Sequence, residues 1–260
     1  MQPIIIGAGR GSRLKAMTDD QPKCYVEIAG RRILDWVLAA FRGAGLPEAV
    51  FIGGYQIERI KGDYPQLTFA HNRDWPHNNI LASLFHAEPY MSDGFVASYA
   101  DILFRPGLVA KTLAHPGDIV LGVDTRWRER YADRSQHPEA DAEKVTAEGD
   151  HLTCIGRDIP SERADGEFIG VAKFTAAGAE RFRSHYHRIR AAYAGRPWRS
   201  AAVFEKAYLI LLFQEMLECG EPLHLVTTQG EYMEIDTEED YALAQAQWVL
   251  RADLRVERSS

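Results

Sequence analysis

Apolar runs of four or five residues alternate with longer stretches of helical spacing through the first half of the chain. Residues 3–6 read as a buried strand, which gives way to a loop holding Gly7, Gly9 and Gly11. A brief extended piece at 25–28 is followed by Ile33, Leu34, Val37, Leu38 and Phe41, an apolar stripe that predicts a helix over 31–44, closed by Gly43 and Gly45. Strands are expected at 49–52, 67–70, 95–99 and 119–123, with helices at 56–61, 80–91 and 108–114 between them. Residues 72–79 are polar, include Pro76 and read as a loop. Alternation of this kind predicts an α/β fold: a Rossmann-like, mixed but mostly parallel sheet flanked by helices.

The pattern fails from Asp124 to Asp141, where charged residues follow no clean period. Beyond it, 144–147 and 152–155 flank Glu148-Gly149-Asp150 as a hairpin, and 168–174 reads as a strand. Helices are expected over 176–194 and 201–218, and a strand over 223–227. Thr237, with Asp240 three residues on, caps a last helix running to about Val249. The expected organisation is one domain over 1–250, with an irregular insertion or lid near 124–165 and a polar tail at 251–260.

Composition narrows the classes. A net charge of −7 over 260 residues argues against broad attraction to nucleic acid or anionic lipid, so any anion site must be local. No apolar run approaches the roughly 20 residues of a membrane helix, and the N-terminus lacks a secretory pattern. Cys24, Cys154 and Cys219 are too scattered for a disulfide framework or structural zinc, which favours reduced thiols in a cytoplasmic protein. Cys24 is expected to serve packing. His71, His77, His86 and His137 show no ligand-like pairing, and no Ser-His-Asp or Cys-His arrangement stands out.

The glycine loop carries the chemistry. Glycines let backbone N–H groups turn inward around a ligand, and Arg13 and Lys23 flank the loop with fixed cations, which suits a polyphosphate such as a nucleoside triphosphate. A P-loop would need Gly-Lys-Ser/Thr, which is missing. A dinucleotide fingerprint would need a third glycine where Ser12 or Leu14 stands, although Glu27 lies at about the spacing of a ribose acid. A glycine-rich turn without a ligand is the plain structural alternative.

GAGRGSRL followed by DDQPK resembles the signature of the nucleotidyltransferases that activate sugar phosphates and alcohol phosphates, Leu-Ala-Ala-Gly-x-Gly-x-Arg and then Pro-Lys. Ile6 and Gly7 replace the first Leu and Ala; the later glycines, Arg13, Pro22 and Lys23 match. NNILASLFHAEPYM, SYADILF, AEKV, GEFIGVAKF and EYMEIDTEEDY extend the likeness over nearly the whole chain, closest to cytidylyltransferases acting on choline phosphate and 2-aminoethylphosphonate. The resemblance implies a fold of the nucleotide-diphospho-sugar transferase type and a reaction that joins a phosphate or phosphonate oxygen to the α-phosphorus of CTP.

It also implies residue roles. Ala8, Gly9, Gly11 and Ser12 would cradle the triphosphate, Arg13 would bind its β- and γ-phosphates, and Lys23 its α-phosphate. Asp101, after a buried strand, and Asp236, in EIDT, would hold Mg2+, with Asp101 counted with Arg13 and Lys23 as catalytic. Gly54, Tyr55, Asn78 and Asn79 are expected around the base, although local loop bonds and a helix cap would also explain the two asparagines. Lys144 resembles a second family lysine near the acceptor phosphate. Asp124, Trp127, Tyr232 and Glu234 could supply a carboxylate and aromatic wall to a cationic acceptor head. The expected partners are CTP and a small phosphate or phosphonate acceptor, without nucleic acid or membrane, and with a homodimer open as the assembly. A sugar-1-phosphate or inositol-phosphate acceptor is a close alternative, and a nucleotide-binding module without catalysis is a second.

Overall fold

The computed structural model describes residues 1–132 and 134–248. The polar tail and the end of the last helix at Val249 lie outside the described residues. The strands are β1 (Gln2–Gly7), β2 (Glu27–Ile28), β3 (Arg31–Arg32), β4 (Val50–Gly53), β5 (Thr68–His71), β6 (Phe95–Tyr99), β7 (Ile102–Phe104), β8 (Ile119–Asp124), β9 (Lys144–Glu148), β10 (His151–Gly156), β11 (Gly166–Phe174), β12 (His224–Thr228) and β13 (Tyr232–Glu234). The helices are α1 (Ile33–Gly43), α2 (Ile57–Asp63), α3 (Ile80–Leu84), α4 (Pro106–Ala114), α5 (Trp127–Tyr131), α6 (Ala176–Tyr193), α7 (Leu209–Glu218) and α8 (Glu238–Gln247).

Nine strands form one sheet in the order β5-β4-β1-β6-β11-β8-β12-β10-β9. β5, β4, β1 and β6 run parallel, as do β8 and β12, while β11 is antiparallel to both β6 and β8. Side chains alternate across the strands: Ile4, Ile6, Val50 and Ile52 enter one apolar cluster, Ile5 and Phe51 the other. Burial on both faces is why these strands read as unbroken apolar runs. Among the described residues no helix is long and apolar enough to cross a membrane.

Three segments differ from the sequence pattern. The helix expected over 80–91 ends at Leu84 and continues as a 3-10 turn, Phe85–Tyr90, because Pro89 lacks an N–H and restricts the residue before it. The helix expected from residue 201 begins at Leu209. Upstream, the carbonyls of Glu205 and Ala207 accept N–H groups of Asn79 and Leu81 at 2.8 and 3.4 Å, so this stretch caps α3 instead of starting a helix. The irregular 124–141 stretch contains α5 and a 3-10 turn, Glu139–Asp141.

Two very short strands were invisible to periodicity, and they position the site. β7 and β13 form a separate antiparallel ribbon, with Glu234 opposite Ile102, and the Ile235 N–H donates to the Asp101 carbonyl at 3.0 Å. Asp101 and Asp236 are thereby brought together from 135 positions apart in sequence, by 236 minus 101. A capping box then starts α8: the Asp240 carboxylate accepts the Thr237 and Asp236 N–H groups at 2.9 and 3.1 Å.

Candidate active site

The glycine loop leaves the C-terminal end of β1 and turns back on itself. Gly11 has φ +76°, and a Cβ there would meet the Lys23 side chain at 2.7 Å, so glycine is required both for the turn and for the lysine's approach. Thr18 Oγ1 donates to the Gly11 carbonyl at 3.0 Å, and the Tyr55 N–H donates to the Ala8 carbonyl at 2.9 Å. The loop is thus fixed from two sides.

Lys23, almost buried, donates from Nζ to Asp101 Oδ2 at 2.6 Å and also to Asp236 Oδ1. Arg13 bonds the other oxygen of Asp236 and lies 4.0 Å from Asp141. Burial opposes charge on Lys23, but Asp101 and Asp236 outweigh it and raise its pKa. Burial likewise opposes ionisation of Asp236, yet Lys23 and Arg13 hold that carboxyl well below the usual range. Glu234 goes the other way: burial, then the neighbouring Asp236 and Asp101, push its pKa well up.

Two cavities meet at this cluster. One, of about 300 Å³, is lined by the loop, Lys23, Trp75, Asn78, Asn79 and Ser83. The other, of about 400 Å³, is walled by Tyr99, Glu143, Arg157, Glu167, Tyr208 and Tyr232, with Glu234 also on its wall. Both reach Arg13, Asp101 and Asp236.

Around the first cavity, the asparagine side chains are already engaged. Asn78 forms a reciprocal amide pair with Asn72, both bonds 2.9 Å, and Asn79 caps α3 through the Ile80 N–H at 2.8 Å. Tyr55 does not line the cavity; its hydroxyl donates to the Asp19 carbonyl at 2.9 Å and its ring lies edge-on to Trp75. Gly54 packs beneath Trp75, where a Cβ would come within 2.7 Å of the indole side chain.

Three expected acceptor residues lie off the second cavity. Asp124 is fully buried; it accepts the Arg126 and Gly230 N–H groups at 3.0 and 2.8 Å and pairs with Arg130, so its oxygens serve the fold. Trp127 is buried against Tyr131 and Ala142, in a small core of its own. Lys144 is buried and reaches the Glu139 carbonyl at 3.5 Å. Its chain neighbour Glu143 lines the cavity instead, because adjacent side chains on extended backbone face opposite ways. Tyr232 and Glu234 do line the cavity.

Residues that the sequence did not single out complete the wall. Arg157 lies 3.5 Å from Glu143 and 4.0 Å over the Tyr208 ring. The Tyr99 hydroxyl donates to Glu143 at 3.2 Å, and burial, above all, pushes the Glu143 pKa up to about 7. Glu167 is held by the Tyr131 hydroxyl at 2.6 Å and by Arg130. His137, for which no ligand-like pairing is expected, instead stands 3.6 Å from Glu234 and 3.2 Å from Asp240, and offers a ring nitrogen within 4.8 Å of carboxylate oxygens of Glu234 and Asp236. Arg157 and Glu167 follow the hairpin and His137 sits in the aperiodic stretch, where spacing carries little signal. Tyr99 and Tyr208 fall inside an expected strand and an expected helix, whose periodicity does not show which residues face a cavity. Trp75, in a polar loop, was missed for the first of these reasons. Cys24 is buried, and burial pushes its thiol up to about 12, consistent with packing.

An open α/β sheet with cavities beyond its strand ends is the frame of a nucleotide-handling protein. The chain belongs to the MobA-like NTP transferase domain family, whose model matches residues 3–162. The CTP:phosphoglutamine cytidylyltransferase of Campylobacter jejuni subsp. jejuni serotype O:2 is 26% identical over 248 residues, covering 91% of this chain and 96% of that one. Among solved structures, the inositol-1-phosphate CTP transferase from T. maritima matches with a TM-score of 0.72 at 22% identity, over 94% of each chain. The CTP:phosphocholine cytidylyltransferase from Streptococcus pneumoniae matches with a TM-score of 0.69 at 16% identity, over 94% of this chain and 97% of that one. The expected fold class and the resemblance to nucleotidyltransferases are both borne out.

Proposed function

We propose that this protein is a cytidylyltransferase: it transfers CMP from CTP to a small phosphate or phosphonate carrying a cationic nitrogen and releases pyrophosphate. The observation that carries this reading is the junction of two cavities at one cluster of Arg13, Lys23, Asp101 and Asp236. A two-substrate transfer needs such a junction, with the nucleotide on one side and the acceptor on the other.

An acceptor oxygen forms a bond to the α-phosphorus while the bond to the β-phosphate oxygen breaks, and pyrophosphate departs. Both reactants are anions, so positioning and charge neutralisation dominate over covalent catalysis. The loop N–H groups hold the triphosphate. Arg13 suits the departing pyrophosphate, since its planar fork can bind two oxygens at once. Lys23 is fixed at the base of the loop, placed to neutralise charge at the α-phosphate in the transition state. Each exchanges part of its carboxylate pairing for phosphate.

Asp101 and Asp236 fit magnesium. Both are oxygen donors beside a phosphate-sized cavity, and the buried Oδ1 of Asp101 has no hydrogen-bond partner among the described residues. When bound, the ion would neutralise phosphate charge.

Glu143 and Glu167, with the rings of Tyr99 and Tyr208, give the second cavity the carboxylates and aromatic faces that suit a cationic head. Choline phosphate and 2-aminoethylphosphonate have that chemistry. Arg157 favours a second reading, in which the head also bears a carboxylate, as an amino-acid-derived phosphate would. The phosphoglutamine enzyme similar over most of this chain makes that reading worth testing.

The test is pyrophosphate release with four nucleoside triphosphates against choline phosphate, 2-aminoethylphosphonate, phosphoglutamine, inositol-1-phosphate and a hexose-1-phosphate. Turnover is expected with CTP and a nitrogen-bearing acceptor. Turnover confined to the hexose-1-phosphate or inositol-1-phosphate would overturn the proposed acceptor class.

A further inference from the structure

The end of the sheet away from the two cavities gathers a second set of side chains. β12 runs parallel to β8, with Thr228 beside Asp124 at one end and His224 beside Val120 at the other. At this second end His224 faces His151 of β10, and His115 arrives from the turn after α4. The ring centroids of His115 and His224 are 5.0 Å apart, and those of His151 and His224 are 4.6 Å apart. Asp150, in the hairpin turn, lies 2.9 Å from His115 Nε2 and 2.8 Å from His151 Nδ1.

Gly117 makes this gathering feasible. A Cβ there would meet the His224 ring at 2.4 Å and His115 Nδ1 at 3.1 Å, so any side chain would force the imidazoles apart. The Gly117 N–H donates to His115 Nδ1 at 3.0 Å, which leaves the ring hydrogen on Nε2, pointing at Asp150. His224 Nδ1 is buried and has no hydrogen-bond partner among the described residues. Burial, then the neighbouring His151 and His115, depress the His224 pKa and favour its neutral, ligating form. Lys173 donates to the His115 carbonyl at 2.6 Å and holds the turn in place.

We propose that His115, Asp150 and His224, with His151 at the rim, form a binding site for a borderline divalent transition ion such as Zn2+. One ligand atom from each of His115, Asp150 and His224 already lies within 4.8 Å of the others. A tetrahedral zinc ion with bonds of about 2.0–2.2 Å holds its ligand atoms roughly 3.3–3.6 Å apart, so only a small closure is needed. Asp150 and His151 are more than half exposed and can supply that movement. Imidazole with a single carboxylate selects zinc, nickel or copper over magnesium, which prefers oxygen and water. The ion takes the place of the His115 Nε2 hydrogen, and Nδ1 must then carry a hydrogen and release the Gly117 contact. For a neutral imidazole this is a tautomer shift with no net proton release; only histidines protonated at low pH must give up a proton, so binding weakens as pH falls. Its structural effect is to tie the β9–β10 hairpin to β12 and to the turn before β8, at the opposite end of β8 from the transfer site.

The experiment is calorimetric titration of metal-stripped, full-length protein with Zn2+ in buffer containing Mg2+, on wild type, Asp150→Asn and His224→Ala. Wild type is expected to bind one equivalent at this site and to gain several degrees in Tm. Both variants should bind that equivalent at least tenfold more weakly, with CTP-dependent turnover unchanged. Asp150→Asn is exposed and nearly isosteric, so it reports even if His224→Ala folds poorly. Zinc binding equally tight in Asp150→Asn, as would occur at His137 and Glu234, would overturn the proposal. So would the lack of saturable binding by wild type.

Discussion

The two cavities share Arg13, Asp101 and Asp236 but are built from different materials. The first is shaped by backbone: a strand end, a loop held by the Thr18 and Tyr55 contacts, and a glycine whose conformation lets Lys23 lie against it. The second is shaped by charged side chains that restrain one another, Arg157 with Glu143, and Arg130 with both Asp124 and Glu167. A backbone site recognises what every nucleoside triphosphate offers. A side-chain site can be retuned by single substitutions, which suits the half that selects an acceptor. Alterations to the first half should therefore abolish the reaction, and alterations to the second should redirect or weaken it.

The largest effect is expected from Lys23→Ala. The ammonium lies between Asp101 and Asp236, so its removal leaves those carboxylates partly uncompensated and costs about 3 kcal/mol of stability. Turnover should fall on the order of 10³-fold, because charge neutralisation at the reacting phosphate is lost. Pyrophosphate release, measured well below the variant's own Tm, separates the two losses. Activity within tenfold of wild type would remove Lys23 from the transition state and leave it a fold-stabilising cation.

The same contrast explains what could be read in advance. Gly7, Gly9, Gly11, Arg13 and Lys23 fall within one short stretch whose loop closes locally, so their gathering around one cavity was legible. Asp101 and Asp236 were recognisable as strand-end acids, although the ribbon of β7 and β13 that joins them is too short for any period to betray. Asp124, Trp127 and Lys144 have the right chemistry and the wrong facing. Whether Asp124 meets a ligand or Arg130 is decided by α5, which has no clean periodic signature. Lys144 and Glu143 differ by one position, and a one-residue shift on an extended chain exchanges faces.

Arg157→Met sharpens the comparison within the second half. The substitution keeps an apolar stem against Tyr208 and removes the guanidinium beside Glu143. If Arg157 binds an anionic group of the acceptor, its KM should rise about tenfold, the equivalent of one charge-assisted contact. The KM for CTP should stay within about twofold. Equal shifts in both constants would mean that Arg157 shapes the shared cluster instead of the acceptor cavity.

The smallest effect is a pH limb assigned to Glu143. Its carboxyl, raised to about 7 by burial with Glu167 adding to the shift, is neutral below that pH and ionised above it, while Arg157 and Tyr99 act against the shift. A cationic acceptor should therefore gain a few-fold in kcat/KM as pH rises through about 7, since only the ionised form attracts it. Glu143→Gln should flatten that limb at the lower plateau. Stability moves in the opposite direction. The folded chain holds this proton more tightly than the unfolded chain, whose carboxyl titrates near its ordinary value of 4.5. Ligand-free wild type should thus lose stability as pH rises between about 4.5 and 7, relative to Glu143→Gln, in which nothing titrates at that position. Comparing Tm for the two proteins at pH 5 and pH 8, alongside the kinetic profile, tests both signs. A limb that persists in the glutamine variant would assign it to another group on the cavity wall and leave Glu143 a buried hydrogen-bond partner of Tyr99.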